Sequence, residues 1–321
     1  MVGAVRAGSR CLSVITHSLN VRVLRAYASG PLSGAGLGSA LGWAAQSSLR
    51  AAVRSLCELG ALGEADLSEE EKAQSMLGLT RAGRELLAVA DAVERWLLSS
   101  PGGSLSLEHD AAQGILRTLI AGWDSAVIRA LAEQPQTLIE LSSAIPDVSY
   151  PALRRRLAKL RAIDLIGEVD SASRSTFMVG DWLRRAVVPL AMAVRWERDH
   201  EAGSASATEA DVEAVFLLVL PLVESHGSRS GRCALAVLVG ADRATLVVEL
   251  ERGRLSARAA GADNPSTWVL GTLDIWLQAV IDGDSTALRI GGAKPRLVKD
   301  LVAGLHSIFA SLNAGPLPSA R

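Results

Sequence analysis

Cysteine is scarce in this chain. Cys11, Cys57 and Cys233 are the only three in 321 residues, and none stands in a CxxC or Cys/His spacing. A disulfide framework and a structural zinc site therefore have no support. Lysine is scarcer still for the length, with only Lys72, Lys159, Lys294 and Lys299 against a majority of arginine. Long apolar runs are missing too. The longest, around Val212–Val223, falls well short of the roughly 20 residues that span a membrane. The N-terminus carries Arg6, Arg10 and Arg22 without the apolar block of a signal peptide, so a cytoplasmic protein with no membrane contact is expected. Charge of one sign is also lacking: 33 basic against 34 acidic residues give a net charge of -1. No global basic field announces nucleic acid, although a neutral total leaves room for a local patch. The five histidines (His17, His109, His200, His226 and His306) are scattered, and neither GxSxG nor HExxH occurs. The chain is not expected to be an enzyme, and no metal or cofactor is implied.

What is present is core-forming material and a repeat. Hydrophobic residues make up 49% of the chain and mean hydropathy is +0.25, enough for real cores. The length suits two or three domains. Residues 20–64 and 124–168 align without a gap at an offset of 104. Val23/Val127, Arg25/Arg129, Pro31/Pro135, Leu37/Leu141, Leu49/Leu153, Leu56/Leu160 and Glu64/Glu168 are among the identical pairs. Arg95-Trp96 and Arg195-Trp196 then match at an offset of 100, so the first copy holds four extra residues, most simply in its hairpin. One module occurs twice, and residues past about 205 are something else.

In the second copy, the pattern predicts a helix over Ser125–Glu133, a break at Pro135, and a helix over Thr137–Ala144 with a Thr137/Glu140 capping box. A third helix starts near Ser149 with Pro151 in its first turn, and its apolar stripe is Leu153, Leu157 and Leu160. Leu165–Val169 and Ser175–Val179 make a hairpin. Helix, helix, turn, helix, hairpin is the layout of a winged helix-turn-helix. The first copy repeats it with its third helix at Ala45–Leu59 and a longer acidic hairpin tip over Asp66–Gln74. Its Gly34, Gly36, Gly38 and Gly42 superficially suggest a phosphate-cradling loop. The matching stretch from Leu138 to Pro146 is an ordinary helix and no strand precedes it, so a nucleotide site is rejected.

Beyond a Gly/Ser/Ala linker the period changes. Glu209–Glu224 reads as an apolar helix, followed by strands over Ala234–Val239, Thr245–Leu250 and Leu255–Ala259. A very apolar helix is expected over Thr267–Ile281, then a strand over Ala287–Ile290 and a closing helix over Lys294–Leu312.

Residues 18–98 and 122–198 each resemble a winged-helix unit of the MarR/HxlR type of bacterial transcription regulators. The likeness rests on Trp123–Glu168, with the Pro135 turn and the SYPALRRRLAKL helix, and on Leu79-Thr80-Arg81-Ala82-Gly83-Arg84-Glu85-Leu86 after the first hairpin. The second copy departs from that last segment at Met178–Leu183. Residues 209–312 resemble the sterol carrier protein type 2 fold at Asp274–Trp276, Ile281–Asp284, Leu288–Gly292 and Leu297–Phe309. That likeness implies an apolar cavity for a hydrophobic molecule. The expected architecture is mostly α with α+β: winged-helix unit 1 over 1–98, a linker helix region over 99–121, winged-helix unit 2 over 122–200, a linker over 201–208, a sterol-carrier-like domain over 209–312 and a tail over 313–321.

The third helix of such a unit enters the major groove of double-stranded DNA. With Leu153, Leu157 and Leu160 inward, Arg155 and Lys159 point most directly outward and Arg154 and Arg156 flank them. Ser149 and Tyr150 open the helix, and Arg174 sits at the hairpin tip. These are the expected DNA contacts of the second copy, against the alternative of an ordinary solvated basic face. Ser47, Arg50 and Arg54 are the counterparts in the first copy. There Ala51 and Ser55 replace Arg155 and Lys159, and Glu69-Glu70-Glu71 on the hairpin opposes phosphate. For the hydrophobic ligand the candidates are Phe216, Leu220, Val223, Trp268, Leu273, Trp276 and Val280, with plain core packing as the alternative. The preferred expectation is a DNA-binding transcription regulator, made of an intramolecular pseudo-dimer, whose C-terminal domain senses a hydrophobic small molecule. A homodimer is required only if one unit alone reads a palindrome. The alternative is a protein that sequesters a hydrophobic metabolite or drug, with DNA binding secondary or absent. A transfer enzyme has no residue constellation to support it.

Overall fold

The two copies of the repeat fold alike, pair for pair. The computed structural model describes residues 9–42, 44–65, 76–122, 124–171, 174–201, 207–223, 230–251, 254–260 and 265–314. The first copy runs α1 (Arg10–Ile15), α2 (Ser18–Ala28), α3 (Gly34–Ala40), α4 (Gln46–Glu58), β1 (Leu62–Glu64), β2 (Leu77–Leu79) and α5 (Arg81–Leu98). The second runs α6 (Asp110–Gly122), α7 (Ser125–Glu133), β3 (Gln136–Thr137), α8 (Leu138–Ala144), α9 (Tyr150–Ala162), β4 (Ile166–Ser171), β5 (Arg174–Val179), α10 (Asp181–Arg185) and α11 (Val187–His200).

Local chemistry sets these boundaries. The Asp124 carboxylate caps α7 by accepting from the Ala126 and Val127 amides. The capping box of α8 forms as expected: the Thr137 amide donates to Glu140 Oε2 at 2.7 Å, and the Glu140 amide donates to Thr137 Oγ1 at 3.3 Å. In the glycine-rich counterpart α3, Ser33 caps by accepting from the Gly36 amide, so that stretch is a helix. Leu153, Leu157 and Leu160 are all buried under α9. Helices α4 and α9 both end in a left-handed residue, Gly60 at φ +68° and Asp164 at φ +56°. These positions match at the offset of 104, and aspartate is one of the few side chains that tolerates this conformation.

Strand register confirms the change of offset. Leu62 pairs with Leu79 as Ile166 pairs with Val179. The bridge Leu32 to Leu77 matches the Gln136 to Phe177 pair. Positions before the hairpin differ by 104 and those after it by 100, so the four additional residues lie between Ala65 and Met76. The acidic Glu69-Glu70-Glu71 tip falls there, outside the described residues.

Helices α5 and α11 join the copies. Trp96 Nε1 donates to the Trp182 carbonyl at 2.9 Å, and Trp196 Nε1 donates to the Ala82 carbonyl at 2.8 Å. Positions 96 and 196 correspond, as do 82 and 182, so the two bonds exchange under an approximate two-fold axis. This is the isologous geometry of a homodimer, here within one chain. Trp182 adds what Ala82 cannot: its ring stacks on Trp96 at 4.6 Å and 15° and its Nε1 donates back to the Trp96 carbonyl.

The remaining region is an α+β layer of α12 (Glu209–Val219), β6 (Gly231–Val239), β7 (Asp242–Glu251), β8 (Arg254–Ala259), β9 (Trp268–Thr272), α13 (Leu273–Leu277), β10 (Arg289–Gly291) and α14 (Pro295–Ala314). The sheet order is β10-β9-β6-β7-β8, with β6 and β9 parallel and all other pairs antiparallel. One face, carrying Cys233, Leu235, Val237, Leu246, Val248 and Val269, joins the main core with α12, α13 and α14. Helix α12 also packs along α7, where Ser125 Oγ donates to the fully buried Asp211 carboxylate and Arg129 pairs with Glu213 at 2.9 Å. Burial drives the Glu213 carboxyl above its usual range, and Arg129 offsets some of that shift.

Two expected helices are corrected. The helix over Glu209–Glu224 ends at Val219 and continues only as one 3₁₀ turn, Leu220–Leu222, around Pro221, which has no amide hydrogen to give. The helix over Thr267–Ile281 is instead strand β9, then α13, then a π-turn over Gln278–Asp282. A strand apolar on both faces in a parallel pair cannot be told from a buried helix by periodicity alone. Gly271 lies in this strand, where a Cβ would lie 2.8 Å from Leu288 Cδ2. Thr272 caps α13 by accepting from the Ile275 amide.

Candidate nucleic-acid interface

Helix α9 presents its basic residues unequally. Arg154, Arg155 and Lys159 are exposed and make no ion pair or hydrogen bond among the described residues. Arg156 is half-buried and its guanidinium pairs with Asp124. The side chain expected to flank the contact surface is thus also held to the cap of α7. Arg161 pairs with Glu168 on β4 in the same way. Of the five basic residues on this segment, three therefore have no acid among the described residues and can meet an anion. Lys159 and Arg161 in the last turn also complement the negative end of the helix dipole. Ser149 and Tyr150 are exposed at the helix start, Tyr150 by 47%. Arg174 opens β5 opposite Ser171, as expected for a hairpin tip; its side chain lies outside the described residues.

The first copy offers less. Ser47, Arg50 and Arg54 are all exposed on α4. Arg50 Nε turns back to the Gln46 carbonyl at 3.4 Å. Ala51 and Ser55 stand where Arg155 and Lys159 stand. Helices α4 and α9 correspond at the offset of 104 and are the same length, but they differ in charge.

The residues expected to hold a hydrophobic ligand are mostly core. Phe216, Leu220, Val223, Trp276 and Val280 are buried. Phe216 meets Trp276 edge to face at 5.1 Å, and Trp276 Nε1 donates to the Ala236 carbonyl at 3.0 Å. Leu273 is half-buried beside them. Trp268 does not join this group, contrary to its expected place on one helix face with Trp276. It pairs with Ala234, on the side of the sheet away from the core, and its ring lies across Gly291. Ion pairs tie this domain to α11: Arg198 Nη2 to Asp274 at 2.7 Å and Arg195 Nη1 to Asp282 at 2.6 Å. Among the described residues, no helix is long and apolar enough to cross a membrane.

Sequence reasoning did not find Asp124. Its role as an N-cap before Ser125 was legible, but the pairing with Arg156 was not, because nothing in a spacing of 32 residues announces it. Neither a scan against protein-family models nor searches of curated proteins and of solved structures finds a match for this chain.

Proposed function

We propose that this chain is a DNA-binding transcription regulator built from two tandem winged-helix units that pair as an intramolecular pseudo-dimer. The observation that carries the reading is the trio Arg154, Arg155 and Lys159. These residues are exposed, and unpaired among the described residues, on a helix whose apolar stripe is buried and whose counterpart in the first copy is α4. Three solvent-facing cations on one helix are what phosphate neutralisation needs. In this reading the second copy reads DNA and the first positions it.

The C-terminal domain acts through its grip on α7 and α11. A hydrophobic molecule entering between Phe216 and Trp276 must separate rings already in contact, so ligand sensing there requires the domain to open. The Arg195–Asp282 and Arg198–Asp274 pairs pass such a movement directly to the helix that joins the copies.

The test is binding of the full-length protein to random-sequence duplex DNA across a salt series. Replacing Arg155 and Lys159 together by alanine should lower the slope of log affinity against log salt by about 2 and weaken binding at least about tenfold at moderate salt. An unchanged slope and affinity would remove the second copy as the DNA contact. Arg156→Ala should leave the slope near wild type, because its guanidinium is already committed to Asp124.

A further inference from the structure

A cavity of about 550 Å³ lies against the hairpin of the first copy, lined by Tyr27, Pro31, Ala65, Gly78, Leu79 and Arg84 among others. Small-molecule sites typically measure roughly 300–1,000 Å³. Comparing the copies shows why the space is there. The counterparts of Ala65 and Gly78 are Val169 and Met178, which project from the second hairpin with 52% and 39% exposure. The first copy has a methyl group and a hydrogen instead.

Gly78 is not demanded by its backbone or its neighbours. Its φ is not left-handed, and a Cβ there would meet only Ala65 Cβ at 3.7 Å and Pro31 Cγ at 3.8 Å, both ordinary contacts. The side chain it lacks would enter the cavity.

The polar groups are few and placed. Tyr27 is 3% exposed and its hydroxyl makes no hydrogen bond among the described residues. Its oxygen is not among the fully buried polar atoms without a partner, so the hydroxyl is open to the cavity that Tyr27 lines. Burial, and then the nearby Cys57, push its phenol above the usual range, so it remains a neutral donor near pH 7. Arg84 is exposed and lines the cavity, and among the described residues its only hydrogen bond is from Nη1 to the Leu79 carbonyl at 3.0 Å. Glu64 also lines the cavity, at the Leu77 end of the strand pair. It is therefore two residues, about 7 Å, along the ladder from the Leu79 end that Arg84 marks.

We propose that this cavity binds a small amphiphilic anion, with its apolar body against Pro31, Ala65, Gly78 and Leu79 and its acceptor end toward Arg84 and the Tyr27 hydroxyl. The site is separate from the C-terminal domain and does not depend on whether the chain binds DNA. Its walls include β2 and the first turn of α5, so an occupant touches both the hairpin and the helix that pairs the copies.

The probe is 8-anilinonaphthalene-1-sulfonate, which carries aromatic rings and one sulfonate, with neutral Nile red beside it, titrated into the full-length protein. One sulfonate probe per chain is expected. Gly78→Met, which installs the residue of the second copy, should weaken both probes at least tenfold and leave the thermal midpoint within about 2 °C. Arg84→Gln should weaken the sulfonate probe about tenfold and spare Nile red. Tyr27→Phe, which keeps the ring, should fold like wild type and weaken the sulfonate probe. Binding that is unchanged in Gly78→Met, or equal for both probes in Arg84→Gln, overturns the proposal. If Gly78→Met fails to fold, the Arg84 and Tyr27 variants decide it alone.

Discussion

Trp96→Ala is expected to destabilise the chain by about 3–5 kcal/mol, the range for removing a large buried aromatic side chain. Trp96 is 4% exposed, stacks on Trp182 and donates to the Trp182 carbonyl across the seam between the copies. The substitution opens a cavity, dissolves the stack and removes one of two donors to the Trp182 carbonyl, which keeps the Ala186 amide at 3.2 Å. Trp196→Ala removes the symmetric hydrogen bond to Ala82 but no stacked pair. It should therefore cost less than Trp96→Ala, and the order of the two is itself a check on the two-fold. Urea unfolding monitored by circular dichroism reads both. A loss below about 1 kcal/mol for Trp96→Ala would mean that the seam is not what holds the copies together.

Gly83→Ala is expected to cost about 3 kcal/mol, against the sign that helix propensity alone gives. Glycine to alanine inside a helix normally gains up to about 1 kcal/mol. Here a Cβ would lie 2.0 Å from the Ala61 carbonyl oxygen and 3.0 Å from Leu79 Cδ2. Carbonyl oxygen is backbone and cannot swing aside, so the start of α5 must lift from the hairpin, and overpacking of this kind is at the severe end of its usual range. The Thr80 amide bond to Ala61 would go with it. Leu183 stands at the matching position in the second copy and is fully buried, so helix and hairpin meet differently there. A thermal midpoint equal to or above wild type for Gly83→Ala would show that α5 can shift freely.

Where side chains obey a short-range rule, the fold was legible from sequence. The capping box at Thr137 and Glu140, the stripe Leu153, Leu157 and Leu160, and the four-residue difference between hairpins all came from local pattern or from laying one copy on the other. Strand β9 was hidden for two physical reasons. It is apolar on both faces, and Thr272 caps the next helix directly, with no turn residue to mark where strand becomes helix. The candidate DNA surface was legible as a charge cluster, but not in its division of labour. Whether an arginine faces solvent or an acid depends on partners such as Asp124 and Glu168, brought near only by folding. The cavity beside Tyr27 was visible in principle, as glycine against methionine at positions 78 and 178, but only once the offset after the hairpin was known.

Because the two halves of the seam belong to one polypeptide, dilution cannot separate them. A partner fixed by a tether sees the other half at an effective concentration set by the chain and not by the solution. An ordinary homodimer loses its paired form when its copy number falls, whereas this protein keeps the pairing down to a single molecule per cell. Each substitution also appears once instead of twice, so α9 can change while its counterpart α4 stays as it was.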